Sequence, residues 1–137
     1  MSQAPLGMRR LLFDTCFLID LEREMKHGAG KAQAFLRSNP NAVACIPWTV
    51  AGEFAEGFGD IRNPACEAML DRFEMMPMDE ATAGQYARIT AKLRQENQLI
   101  GTNDLWIAAA AMAHGLELVT NNVSHFGRIA GLSVCGY

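Results

Sequence analysis

With 137 residues, half of them apolar and a fifth charged, the chain has the length and composition of one soluble domain able to bury a core. Its net charge of −3 and pI near 5.6 exclude a protein that grips nucleic acid by bulk positive charge, so contact with an anionic polymer requires a local basic surface or a bound cation. No apolar run approaches the ~20 residues of a membrane span, and residues 1–8, broken by Pro5 and Gly7, lack a signal-peptide pattern; a single cytoplasmic domain over 1–137 with no membrane contact is expected.

Arg10, Leu11, Leu12 and Phe13 form a short apolar run ending at Asp14 and read as a buried first strand. Residues 16–24 have helical spacing, and a second helix is expected over 30–38, stopped by Asn39 and Pro40. The run from Val43 to Pro47 is a second strand, after which Trp48 or Thr49 opens the helix that carries Glu53. A short helix over 64–72 and a weak strand over 75–78 follow. Asp79 and Glu80 start a long helix to about Gln98, with Ala83, Tyr86, Ile89 and Leu93 on one face. Thr102 or Asn103 caps the next helix, which runs to His114 and ends at Gly115. Residues 116–120 form a fourth strand and 133–135 a fifth. This alternation predicts an α/β fold with a mostly parallel sheet and helices on both faces.

The four cysteines, Cys16, Cys45, Cys66 and Cys135, include no C-x-x-C pair and no histidine cluster, which argues against zinc; they read as reduced, mostly buried thiols, with Cys16 notable for its place beside Asp14. His27 and His114 have no expected catalytic role, and the methionines read as core fillers. Ligands of open α/β sheets bind beyond the carboxyl ends of the strands. Asp14 follows the first strand, Asp104 lies in the first turn of a helix, and Glu53 sits about one turn into the helix after the second strand. Each has an ordinary reading alone: turn former, dipole residue or solvated helix face. Taken together they converge on one rim. Carboxylates ~4 Å apart repel by roughly 4 kcal/mol at an effective dielectric of 20, so the group must take up protons or hold a cation. An all-oxygen set suits Mg²⁺ or Mn²⁺.

Four blocks in order carry a resemblance: Leu11-Leu12-Phe13-Asp14-Thr15-Cys16; Ile46-Pro47-Trp48-Thr49-Val50-Ala51-Gly52-Glu53-Phe54; Gly101-Thr102-Asn103-Asp104-Leu105-Trp106; and Leu118-Val119-Thr120-Asn121-Asn122 with His125-Phe126. In these the chain resembles the PIN-domain ribonucleases and, among them, the VapC-like toxins. The resemblance implies a three-layer α/β/α sandwich, metal-dependent cleavage of RNA, a homodimer and a cognate antitoxin protein. It maps the family's acidic ligands to Asp14, Glu53 and Asp104. Thr15 occupies a small hydroxyl position, read as a cap of the next helix in preference to a substrate contact. Where the family often has a fourth acid, this chain has Asn122 and His125. Asn122 is the favoured fourth site residue because magnesium prefers oxygen, with His125 as the alternative substrate contact and simple turn capping by Asn122 as the non-catalytic reading.

Other classes fit less well. A dehalogenase-like phosphatase needs a second Asp two residues after the first, where Cys16 stands, and a receiver domain needs a lysine after the last strands, where none occurs. A cellular RNA-processing nuclease and a non-cleaving PIN-like binding domain remain compatible with the same residues.

Overall fold

The computed structural model describes residues 8–137, so the signal-peptide reading of residues 1–7 lies outside the described residues. Five strands, β1 (Arg10–Phe13), β2 (Val43–Pro47), β3 (Glu74–Met76), β4 (Glu117–Val119) and β5 (Val134–Cys135), form one parallel sheet in the order β3-β2-β1-β4-β5. Central β1 sets Leu12 opposite Cys45 on one side and Leu118 on the other. A strand paired on both edges and covered on both faces meets no water, which is why Leu11, Leu12 and Phe13 are all apolar and buried. The chain builds outward from β1 to β3, then returns to place β4 on β1's other edge. Such a reversal opens a crevice at the carboxyl ends of the two strands that flank it. Here those strands are β1 and β4.

The helices are α1 (Thr15–His27), α2 (Lys31–Ser38), α3 (Trp48–Glu56), α4 (Pro64–Leu70), α5 (Glu80–Gln95), α6 (Thr102–Ala113) and the single turn α7 (Val123–Phe126). They flank the sheet as the α/β expectation requires. Packed against it, Phe13, Phe17, Phe35 and Phe73 form an aromatic cluster with ring centroids 4.3 to 6.1 Å apart. Residues 107–111 of α6 are buried all round because α3, α5 and β4 all touch that helix; four of the five are alanine, which lets three neighbours approach closely. Among the described residues no helix is long and apolar enough to cross a membrane.

Several boundaries differ from expectation for identifiable reasons. α1 runs on to His27 and ends at Gly28, whose φ of 117° suits glycine. Within the helix stands Glu24, whose carboxylate accepts from Ala32 N at 3.0 Å and Gln33 N at 2.9 Å. It thereby caps α2, whose own N-cap, Gly30, has no side chain to offer. β3 stops at Met76 because Pro77 has no N–H for the ladder. α5 ends at Gln95, where Asn97 turns to φ 55° and Gln98 N bonds Leu93 O at 2.8 Å. The N-cap of α6 is Gly101 rather than Thr102 or Asn103, since the Asn103 amide is engaged elsewhere.

Candidate active site

At the carboxyl end of β1 a cavity of about 160 Å³ is lined by Asp14, Thr15, Cys16, Glu53, Asp104, Asn121 and Asn122, among others. Five of the six residues singled out from sequence thus share one cavity. The sixth, His125, reaches it through Asp104, with Nε2 3.0 Å from Oδ2. A carboxylate only accepts, so this nitrogen carries the hydrogen.

Asp14 lies in extended conformation immediately before α1 and is the N-cap of that helix. Its Oδ1 accepts from Phe17 N at 3.2 Å and from the Cys16 thiol at 2.8 Å, and its Oδ2 accepts from the Thr120 hydroxyl at 2.5 Å. Only 5% of the residue is exposed. Burial raises its pKa above the ordinary carboxylate value, the three donors pull it back down, and the charge of Asp104 pushes it up again. The net direction is upward.

The capping role expected of Thr15 belongs to Asp14. Thr15 is already the first helical residue, so its hydroxyl points away from the free N–H groups and donates to Glu53 Oε1 at 2.7 Å. Asn103 Nδ2 donates to Glu53 Oε2 at 3.0 Å, so both oxygens of that carboxylate are oriented by neighbours. The capping reading of Asn122 also fails. It precedes α7 with no side-chain cap bond, and its backbone N–H instead donates to Thr120 Oγ1 at 3.0 Å. Its side chain makes no hydrogen bond with a described residue and lines the cavity.

Thr120, Asn103, Asn121 and Tyr137 were not foreseen. Thr120 is fully buried, donating to Asp14 and accepting from Asn122; its signal was a hydroxyl one residue past a strand that pairs with β1. Behind Asp14, the Cys16 thiol also contacts Asn121 Oδ1 at 3.1 Å, and the Tyr137 hydroxyl donates to Asp20 Oδ2 at 2.6 Å. Burial and the neighbouring Asp14 raise the Cys16 thiol to about 11, so it stays protonated and acts as a donor. All four cysteines are free; Cys45 and Cys66 are buried, but Cys16 and Cys135 are only half-buried. His114 bonds the Pro77 carbonyl at 2.9 Å, a structural role.

The donors facing the cavity are mainly carboxylate, amide and hydroxyl oxygens, and no lysine or arginine lines it. A buried carboxylate whose acid is already favoured by a second negative charge is the surrounding that a hard divalent cation relieves, so these residues fit magnesium or manganese. Among the described residues no three His, Cys, Asp or Glu side chains are close enough to chelate one ion together. That suits a cation that keeps most of its water and takes one or two carboxylates directly.

A family model described as PIN domain matches residues 11–132. Ribonuclease VapC4 of Mycobacterium tuberculosis is 30% identical over 85% of this chain and 89% of its own length, and Ribonuclease VapC1 of Rickettsia felis is 33% identical over 90% and 93%. A solved structure of VapBC-1 from nontypeable Haemophilus influenzae superposes with a TM-score of 0.79 at 27% identity, covering 93% of this chain and 97% of that one. The chain belongs to the PIN domain family. Within that family, the relatives that match it over nearly their full length include these VapC ribonucleases.

Proposed function

We propose that the chain is a Mg²⁺- or Mn²⁺-dependent endoribonuclease and the toxin of a toxin–antitoxin pair, with the metal held at Asp14, Glu53 and Asp104, one or two of them directly and the rest through its water, and with Asn122 completing the site. The observation that carries this reading is the convergence of three carboxylates, two of them oriented by donors on both oxygens, in one cavity free of lysine and arginine. The kinship with proteins named ribonuclease VapC supports the activity. A divalent ion at this site offsets negative charge building on the scissile phosphodiester and eases ionisation of the attacking water.

The protein's own groups supply orientation. Thr120, Cys16 and the Phe17 amide fix Asp14, while Thr15 and Asn103 fix Glu53. His125 holds one oxygen of Asp104, a residue that lines the cavity, which makes it a positioning residue. Asn122 presents an amide that can donate to a phosphate oxygen. The antitoxin is expected to place an arginine or lysine near the carboxylates. A groove of about 570 Å³, with Trp48, Ile61, Leu70, Phe73 and Met75 as its apolar lining and Arg62, Glu67 and Asp71 as its charged lining, offers a seat for an amphipathic antitoxin segment. A homodimer acting in the cytoplasm completes the proposal.

Purified protein incubated with a panel of cellular RNAs is expected to cleave in Mg²⁺ or Mn²⁺ and to stop in EDTA, with Asp14→Asn and Asp104→Asn inactive but folded. Full activity of both variants in EDTA rules the mechanism out. Harmless high-level expression of an active chain assigns it to RNA processing instead of toxicity.

A further inference from the structure

A second cavity, of about 190 Å³, lies between α5 and the segment following α7. Arg88, Lys92 and Arg128 stand around it, over a floor that includes Ile89, Leu93 and Ile129. All three cations are exposed, and none makes a hydrogen bond or ion pair with a described residue. Elsewhere Arg9, Arg23 and Lys26 are paired with Glu117, Asp20 and Glu22. Arg88 and Lys92 are spaced i, i+4 on one face of α5, a like-charge arrangement that costs a helix a few tenths of a kcal/mol. Arg128 adds a third positive charge from the opposite bank, and no carboxylate lines the cavity to compensate. In a chain of net charge −3 this is a local concentration of uncompensated positive charge.

Both banks join elements of the acidic cavity along the chain, and Met112, which also lines the basic cavity, stands eight residues, roughly 12 Å, along α6 from Asp104. α5 passes through residues 96–101 into the first turn of α6, which carries Asn103 and Asp104. Arg128 follows α7, whose His125 holds Asp104. We propose that Arg88, Lys92 and Arg128 form a backbone-binding track for single-stranded RNA, seating phosphates that flank the one to be cleaved. The track supplies the local basic surface that an acidic nuclease needs, and positions the strand without reading its sequence. The choice of RNA as occupant rests on the nuclease reading above.

The test is fluorescence anisotropy with a labelled single-stranded RNA of mixed sequence, titrated in EDTA so that no turnover occurs. The wild type is compared with a triple variant, Arg88→Ala, Lys92→Ala and Arg128→Ala, whose unfolding midpoint is measured alongside. Each lost phosphate contact lowers the slope of log Kd against log salt by about 0.7, so the triple variant should lose about 2 in slope. Between about 50 and 200 mM salt the ratio of the two Kd values then shrinks roughly 15-fold. An unchanged slope in a folded variant overturns the proposal. So does a variant that binds RNA normally but changes oligomeric state or loses a co-expressed antitoxin, since the groove then belongs to a protein partner. A wild type that loses salt-dependent binding with the three residues but cleaves no RNA in Mg²⁺ or Mn²⁺ keeps the track and fails the nuclease reading. Cleavage with an unaltered slope does the reverse.

Discussion

Replacing Thr120 by valine keeps shape and volume nearly constant while removing one hydroxyl from a fully buried position. Two hydrogen bonds go with it: the donation to Asp14 Oδ2 and the acceptance from Asn122 N. A bond to a charged partner contributes roughly 1.5–3 kcal/mol and a neutral one about 0.5–1.5, so the loss should be about 3 kcal/mol. In a domain of this length that lowers the melting temperature by about 10 °C. Thr120→Ser, which keeps the hydroxyl, should lose much less. Urea unfolding in EDTA measures the difference, and a double-mutant cycle with Asp14→Asn isolates the carboxylate bond, for which a coupling of roughly 1–2 kcal/mol is expected. A Thr120→Val protein within about 0.5 kcal/mol of wild type, or no coupling to Asp14, would refute the hydroxyl's role in holding the carboxylate.

Asp14→Asn should raise the metal-free melting temperature at neutral pH. Burial raises the folded acid's pKa, so its contribution to stability is complete below the unfolded pKa and is lost as pH rises through the folded one. The variant should lack that decline, and an identical pH profile would contradict it. Gly30→Ala should cost about 1–2 kcal/mol, because the new Cβ would sit 2.6 Å from Glu24 Cδ and dislodge the carboxylate that caps α2; Glu24→Ala should cost a similar amount, and unchanged urea midpoints would dismiss that cap. Cys16 and Cys45, both raised to about 11 by burial, should resist alkylation at pH 8 until the protein unfolds. Rapid labelling of native Cys16 by mass spectrometry would contradict its donation to Asp14.

The sequence was informative where one residue's chemistry decided the outcome. Apolar runs located β1, β2 and β4, Gly115 at φ 65° closed α6, and the Asp79 side chain caps α5 at Thr82 N. The three carboxylates were readable because acids at strand and helix ends have few places to go but the carboxyl rim. What escaped was who holds them. By residue type, capping is the reading of Thr15 and of Thr102 or Asn103, and the non-catalytic alternative for Asn122. In the folded chain Asp14 and Gly101 occupy the caps, and Thr15 and Asn103 turn to Glu53. A cap is a local contest between adjacent residues, and a distant carboxylate changes its result.

Thr120 shows how far that dependence extends. It meets Asp14 across 106 residues of chain. The parallel register pairs Phe13 with Val119, so the next residue on each strand, Asp14 and Thr120, emerges at the same rim with its side chain beside the other's. A slip of one position would turn every side chain of β4 to the opposite face. Leu118 and Val119, both fully buried, oppose that slip because it would exchange the layers into which they pack. The apolar packing of β4 therefore sets the geometry of the acid one strand away. Enlarging that core, for instance with Leu118→Phe, should disturb the Asp14–Thr120 bond without altering any residue of the cavity.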